Sequence, residues 1–322
     1  MSDDKDLMAG RRKRILVTGI AGFIGSNLAS RLLQEGYEVI GIDSLAYGLR
    51  ENVPDRVDFH CLDIRNKEIF PLFREVDSVF HLAAKNCIAD CQADPVETAG
   101  INVFGTVNVF ETARRAGVRK VIYAESSALY EGSAVFPTSE SEVKPESFYA
   151  VSKVASMHFA KAYETFYRLN LTALRYFCVY GPVQDYRRTI PPVMSAFIIK
   201  LLKGERPIIY GTGEKRRDFV YVDDVNDFHL LCVTDERTDG QTFNIGAGKN
   251  YSVLEILDKI STMLGVQPNP IYREDLPGEA QVTLADISRA RGLGWVPKTT
   301  LETGLERAID YIRCEMQRGR IP

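Results

Sequence analysis

The stretch Thr18-Gly19-Ile20-Ala21-Gly22-Phe23-Ile24-Gly25 constrains this chain more than any other. It directly follows an apolar run, Ile15-Leu16-Val17, and opens a helix-patterned segment from Asn27 to Gln34. The order is strand, glycine-rich turn, helix. Glycines in such a turn let the backbone bend tightly and approach a pyrophosphate. The phosphate then rests on the helix N-terminus, where free N–H groups and the helix dipole favour negative charge. A second apolar run, Val39-Ile40-Gly41-Ile42, ends in Asp43. A carboxylate at that place accepts hydrogen bonds from the adenosine ribose hydroxyls and repels a 2′-phosphate, so the pattern selects NAD over NADP.

Strand and helix patterns alternate through the first half of the chain. Strands are predicted near Ile15–Thr18, Val39–Asp43, Val57–Leu62, Ser78–Leu82, Val121–Ala124 and Leu171–Phe177, with helices near Phe23–Glu35, Pro95–Ala116 and Phe148–Leu169. Such alternation implies an α/β fold with a Rossmann-type, doubly wound parallel sheet. After Gly181-Pro182 the elements shorten and Pro, Gly and Arg become more frequent. The expected division is an NAD-binding domain over 1–180 and a smaller α/β substrate domain over 181–322. Segments near 221–246 are expected to return to the first.

The 322 residues carry a net charge of −3, which argues against a general nucleic-acid surface. No apolar run reaches the roughly 18 residues that span a bilayer, so no membrane partner is expected. Met1–Gly10 is polar and acidic, reads as disordered and does not resemble a signal peptide; Arg11–Arg14 reads as a solvated lead-in to the first strand. The six cysteines are too dilute for a disulfide scaffold, which points to a reducing, cytoplasmic setting. Cys87 and Cys91 stand four apart, but with four His and no second cysteine pair no metal site is expected.

Tyr149 and Lys153 stand four apart in a helical pattern and therefore share one face. A neighbouring cation lowers a phenol pKa from about 10 towards neutrality and makes it a usable general base. Ser126 follows the predicted strand Val121–Ala124, and its hydroxyl can bond the same substrate oxygen. The three suit removal of a hydroxyl proton while hydride leaves the same carbon for nicotinamide.

Through these motifs the chain resembles the extended short-chain dehydrogenases/reductases, in the nucleotide-sugar epimerase/dehydratase branch. The likeness also rests on Leu62-Asp63-Ile64, His81-Leu82-Ala83-Ala84, Asn102–Thr106, Ser126–Tyr130, Leu174–Pro182, Gly211–Gly213, Arg217–Val222 and Phe243–Gly246, and so runs over nearly the whole chain. It implies a cofactor site formed by Gly19, Gly22, Phe23, Ile24, Gly25, Asp43, Asp63, Ile64, Leu82, Ala83, Ala84, Asn102, Tyr149, Lys153 and Tyr176. Asp63 would meet the adenine. It further implies that Arg217 grips the diphosphate of a sugar nucleotide, Tyr210 lies by the base, Glu279 meets the nucleotide ribose, and Ser127 reaches the sugar. A homodimer is implied, joined through the helices near Pro95–Ala116 and Phe148–Leu169.

Departures from the family pattern bear on the reaction. Members of this branch first oxidise the sugar at C4. The common 4,6-dehydratases carry Thr-Asp-Glu where this chain has Ser126-Ser127-Ala128, and decarboxylating relatives carry Glu at the place of Ala128. Cys178 stands where Asn is usual, Glu131 where Gly usually follows the strand-end Tyr, and Lys85 follows His81–Ala84 on a loop that touches the sugar. Three extra acid/base groups suit an elimination across C5 and C6. The pattern is therefore similar to that of the NDP-hexosamine 5,6-dehydratases of tunicamycin-type pathways. Cys178, Glu131 and Lys85 join Ser126, Tyr149 and Lys153 as expected catalytic residues. Thr283 is small where glucose-restricted epimerases carry Tyr, which leaves room for a 2-acetamido group. The leading expectation is dehydration of UDP-GlcNAc to a 5,6-ene. The alternative is a UDP-hexose 4-epimerase, and a non-catalytic NAD-sensing protein is the reading from another class.

Overall fold

Ile15, Leu16 and Val17 are fully buried because β1 (Arg14–Thr18) lies inside a parallel sheet covered on both faces. Strands covered on both sides read as continuous apolar runs rather than as alternation. The computed structural model describes residues 13–276 and 278–321. The lead-in Met1–Gly10, with Arg11, Arg12 and Pro277, lies outside the described residues.

Seven parallel strands form the sheet: β1, β2 (Glu38–Asp43), β3 (Asp58–Cys61), β4 (Ser78–His81), β5 (Lys120–Ser126), β6 (Leu171–Tyr176) and β10 (Thr242–Ile245). Their order is β10-β6-β5-β4-β1-β2-β3, and Thr18 pairs with Ile42 on one side and His81 on the other. Ile15, Val17, Phe80 and Ile122 face one way, onto the helices Phe23–Gln34 and Val222–Thr234. Leu16, Val79 and Val121 face the other, onto Val109 and Phe110 of the helix Thr106–Ala116 and Ala160 of the helix Phe148–Tyr167. This alternation of side chains within continuous apolar runs is what a two-sided sheet requires.

The helix expected over Pro95–Ala116 contains an interruption. Pro95–Ala99 and Thr106–Ala116 are α-helical, and Gly100–Gly105 between them is a π turn. A π turn inserts one residue into the helical repeat.

A second group of elements packs around Tyr180, Phe197, Ile209, Ile256 and Leu305. It holds a three-stranded sheet of β11 (Asn250–Ser252), β9 (Arg216–Tyr221) and β7 (Cys178–Tyr180), in that order, and the two-stranded pair of β8 (Ile208–Tyr210) with β12 (Ile271–Arg273). The chain order reverses between β1 and β4. Crevices beyond the strand ends at such a reversal are where ligands bind in open α/β sheets.

Candidate active site

A cavity of about 1050 Å³ opens beyond the carboxyl ends of β1, β2, β4, β5 and β6 and extends to Arg217, Tyr210 and Glu279 of the second group. Its two ends differ in chemistry.

At one end lies the glycine turn. Gly19 has φ +72°, and its amide donates to the Ile42 carbonyl at 2.8 Å. A Cβ there would sit 2.7 Å from the Ala83 nitrogen, and one on Gly25 would run into the Gly19 carbonyl. Glycine is thus required there by the close packing of the turn on Ala83 and on itself, and Gly19, Gly22 and Gly25 all line the cavity. Asp43 accepts from the amides of Ala21 at 2.9 Å and Leu45 at 2.8 Å, which ties the end of β2 to the turn. Burial raises its pKa, and the two amides oppose that rise. Asp63 lines the same end, held by the Arg65 guanidinium at 2.6 Å, and this contact lowers the Asp63 pKa. Phe23, Ile24, Ile64, Leu82, Ala83, Ala84 and Tyr176 line it too. A bare glycine cradle, a helix N-terminus and an acid at the end of β2 fit a dinucleotide whose 2′-hydroxyl is free. Asp43→Ala is expected to weaken NAD binding by about 10- to 100-fold while sparing NADP, as titration of each into the protein would measure. Equal affinities for both cofactors in the unaltered protein would contradict this.

Asn102 does not reach the cavity, contrary to its expected cofactor contact. Its amide is consumed internally. Oδ1 accepts from the Lys85 amide, and Nδ2 donates to the Lys85 carbonyl and to Ser152 Oγ, each at 2.9 Å. The residue sits in the π turn and clamps the Lys85 backbone to the catalytic helix.

At the centre, Ser126 ends β5 while Tyr149 and Lys153 project from the first turns of the helix Phe148–Tyr167; all three line the cavity. The expected activation of the phenol is not in place. Burial pushes Tyr149 up to about 12, a hydrogen bond with Ser126 opposes this, and the charge of Arg188 also lowers it. The Lys153 ammonium donates to the Ala124 carbonyl at 2.8 Å and lies 5.9 Å from the Tyr149 ring centroid. Burial lowers Lys153 itself to about 8.

The three residues expected as extra acid/base groups all line the cavity but are otherwise engaged. Glu131 accepts from the amides of Glu146 at 3.1 Å and Ser147 at 2.8 Å, and from Ser147 Oγ at 2.9 Å. Ser147 is the N-cap of the catalytic helix, accepting from the Ala150 amide. Glu131 therefore fixes the start of that helix, two residues before Tyr149. Burial pushes the Cys178 thiol up to about 11, with the charge of Arg217 opposing. Lys85 is buried, and its Nζ donates to the Asp94 carbonyl at 3.4 Å.

At the far end, Arg217 meets Glu279 at 3.4 Å. Thr283 Oγ accepts from the Asp218 amide at 3.2 Å. Tyr210 and Ser127 line the wall. Three cations along the cavity were not singled out from sequence. Lys215 is buried and bridges Asp275 and Glu279. Arg187 and Arg188 sit on the loop after Gly181-Pro182. The basic triplet Lys215-Arg216-Arg217 and the paired arginines were the available signals.

The model of the NAD dependent epimerase/dehydratase family matches residues 15–246. The UDP-glucose 4-epimerase of Mycolicibacterium smegmatis is 36% identical over 314 residues, spanning 94% of this chain and 100% of that protein. Among solved structures, the UDP-glucose 4-epimerase of Thermotoga maritima with UDP-glucose superposes with a TM-score of 0.91 at 35% identity, covering 94% of this chain and 99% of that one. The UDP-glucose 4-epimerase of Thermus thermophilus, in complex with NAD, gives 0.88 at 33% identity, covering 93% and 99%.

Proposed function

Because this chain belongs to the NAD-dependent epimerase/dehydratase family, we propose that it interconverts the C4 epimers of a UDP-hexose rather than eliminating water from it. The observation that carries this is the engagement of the elimination candidates. Both oxygens of Glu131 hold the catalytic helix, and the Lys85 amine faces a backbone carbonyl. Ser127 and Ala128 stand where the common 4,6-dehydratases carry Asp and Glu. The relatives named as UDP-glucose 4-epimerases support the same choice.

Bound along the glycine turn and Asp43, NAD would supply the chemistry of accepting hydride from C4 and giving it back. The chain does the rest. Tyr149 takes the C4 hydroxyl proton and later gives it back. Ser126 holds that oxygen throughout. Lys153 keeps a positive charge beside the developing phenolate. Arg217 grips the diphosphate as a guanidinium fork, and Tyr210 and Glu279 hold the nucleoside. Between the two transfers the sugar must turn over, and Ser127, Ala128 and Thr283 leave it space. Thr283 also leaves room for a 2-acetamido group.

The test is product analysis after incubation with UDP-glucose and UDP-GlcNAc. Unchanged mass with new proton couplings at C4 supports epimerisation. Loss of one water, with the C5 proton gone and two vinylic protons at C6, would sink it and restore the 5,6-dehydratase.

We also propose a homodimer. Val96, Phe104, Phe148, Val151, Phe159 and Phe166 are 82, 58, 51, 51, 43 and 78% exposed, and all lie on the segments Pro95–Gly105 and Phe148–Tyr167. So much bare apolar surface on adjoining helices needs a cover, and an identical pair of helices supplies one. A monomer by light scattering at micromolar concentration would rule this out.

A further inference from the structure

We propose that Arg188 binds a carboxylate on the reacting sugar, so that the favoured substrate is an acidic UDP-hexose. This rests on the UDP-sugar reading above and specifies its substrate class.

Five guanidinium groups line the cavity, and four of them are paired with carboxylates. Arg65 meets Asp63 at 2.6 Å, Arg187 meets Asp185 at 2.9 Å, Arg320 meets Glu315 at 3.2 Å, and Arg217 meets Glu279 at 3.4 Å. Arg188 is the fifth. Among the described residues none hydrogen-bonds or ion-pairs with it. An unpaired guanidinium in a cleft is a ready fork for a carboxylate or phosphate.

The loop carrying Arg188 is fastened by the residues just before it. Gln184 donates to the Val179 carbonyl at 2.9 Å, Tyr186 to the Arg320 carbonyl at 2.7 Å, and Arg187 to the Tyr47 carbonyl at 2.7 Å, on the cofactor side of the cleft. Arg188 is therefore presented to the cavity by an anchored strap, at an intermediate exposure.

Position separates the two free anionic groups a UDP-sugar could offer. Arg217 stands with Glu279 at the end of the cavity away from the glycine turn, and its charge acts on Cys178. That is the place for the diphosphate. The charge of Arg188 acts on Tyr149, where the sugar reacts. Among the described residues no carboxylate answers Arg188 there, since Glu131 is spent on the helix cap. The complementary anion must then come with the sugar, either as a C6 uronate or as an acidic ether substituent on the ring.

Calorimetric titration of the NAD-loaded protein with UDP, UDP-glucose, UDP-glucuronate, UDP-GlcNAc and UDP-N-acetylmuramate tests this. The unaltered protein should bind one acidic sugar more tightly than its neutral counterpart. The glucuronate and muramate arms tell the two carboxylate positions apart. Arg188→Gln should cut the acidic-over-neutral preference by about 10- to 100-fold, the loss expected for a charge-assisted bidentate contact. Arg188→Lys, which keeps the charge, should retain part of the preference and so exclude misfolding as the cause. No preference in the unaltered protein overturns the proposal. So does an Arg188→Gln loss equal for UDP, neutral and acidic sugars, which would place the guanidinium on the diphosphate. Acidic-sugar preference with a dehydrated product would sink the epimerase reading alone. Epimerisation of neutral sugars without such preference would sink this one alone.

Discussion

Tyr149→Phe should bind NAD as the unaltered protein does and yet turn over substrate at least about a hundredfold more slowly, because it removes the one group placed to move the C4 hydroxyl proton. The phenol is nearly enclosed and stands at about 12 before substrate enters, so the phenolate is scarce near neutrality. The sign of the pH dependence follows. kcat/KM should climb as pH rises from neutrality and bend over near pH 8, where Lys153 loses the proton that steadies the phenolate. The alteration should erase this rising limb, which a pH–rate profile of both proteins would show. A variant with near-normal turnover, or with an unchanged profile, would mean that another group moves the proton.

Arg175→Met should cost the fold about 3–5 kcal/mol, the usual penalty for stranding one member of a buried pair. Arg175 Nε donates to Glu125 at 2.7 Å, and the two side chains are 3% and 0% exposed. The same guanidinium donates to the Tyr130 hydroxyl at 2.9 Å and the Glu140 carbonyl at 2.7 Å, and Tyr130 donates on to Asn244 at 2.7 Å. Removing the cation leaves a carboxylate with no water to solvate it, directly before Ser126. The denaturant midpoint should fall accordingly. The double change Glu125→Gln with Arg175→Met should recover part of the loss, since no buried charge is then left unpaired. Equal midpoints for the single variant and the unaltered protein would show that the pair is not buried in solution.

Most of the architecture was legible in the sequence because its signals are local. The run Ile15-Leu16-Val17 followed by glycines, and Tyr149 and Lys153 one helical turn apart, each depend on residues near one another in the chain. Hydrophobic period and turn chemistry carry that information directly. The NAD site and the Ser126–Tyr149–Lys153 centre followed from it.

What only the tertiary structure decided concerns partners distant in sequence and the solvent each group loses. The sequence offered Glu131, Cys178 and Lys85 as free acids and bases. Folding brings Ser147 to Glu131 across 16 positions and Asp94 to Lys85, and burial raises the Cys178 thiol. Asn102 turns from cofactor contact to clamp because a π turn aims it at the Lys85 backbone. Tyr149, expected near neutrality, is instead driven upwards because enclosure removes water from the phenolate faster than Lys153, held on Ala124, can replace it. Residue type names what a side chain is able to do; burial and long-range hydrogen bonding determine which of those abilities remain, and neither is written in local sequence.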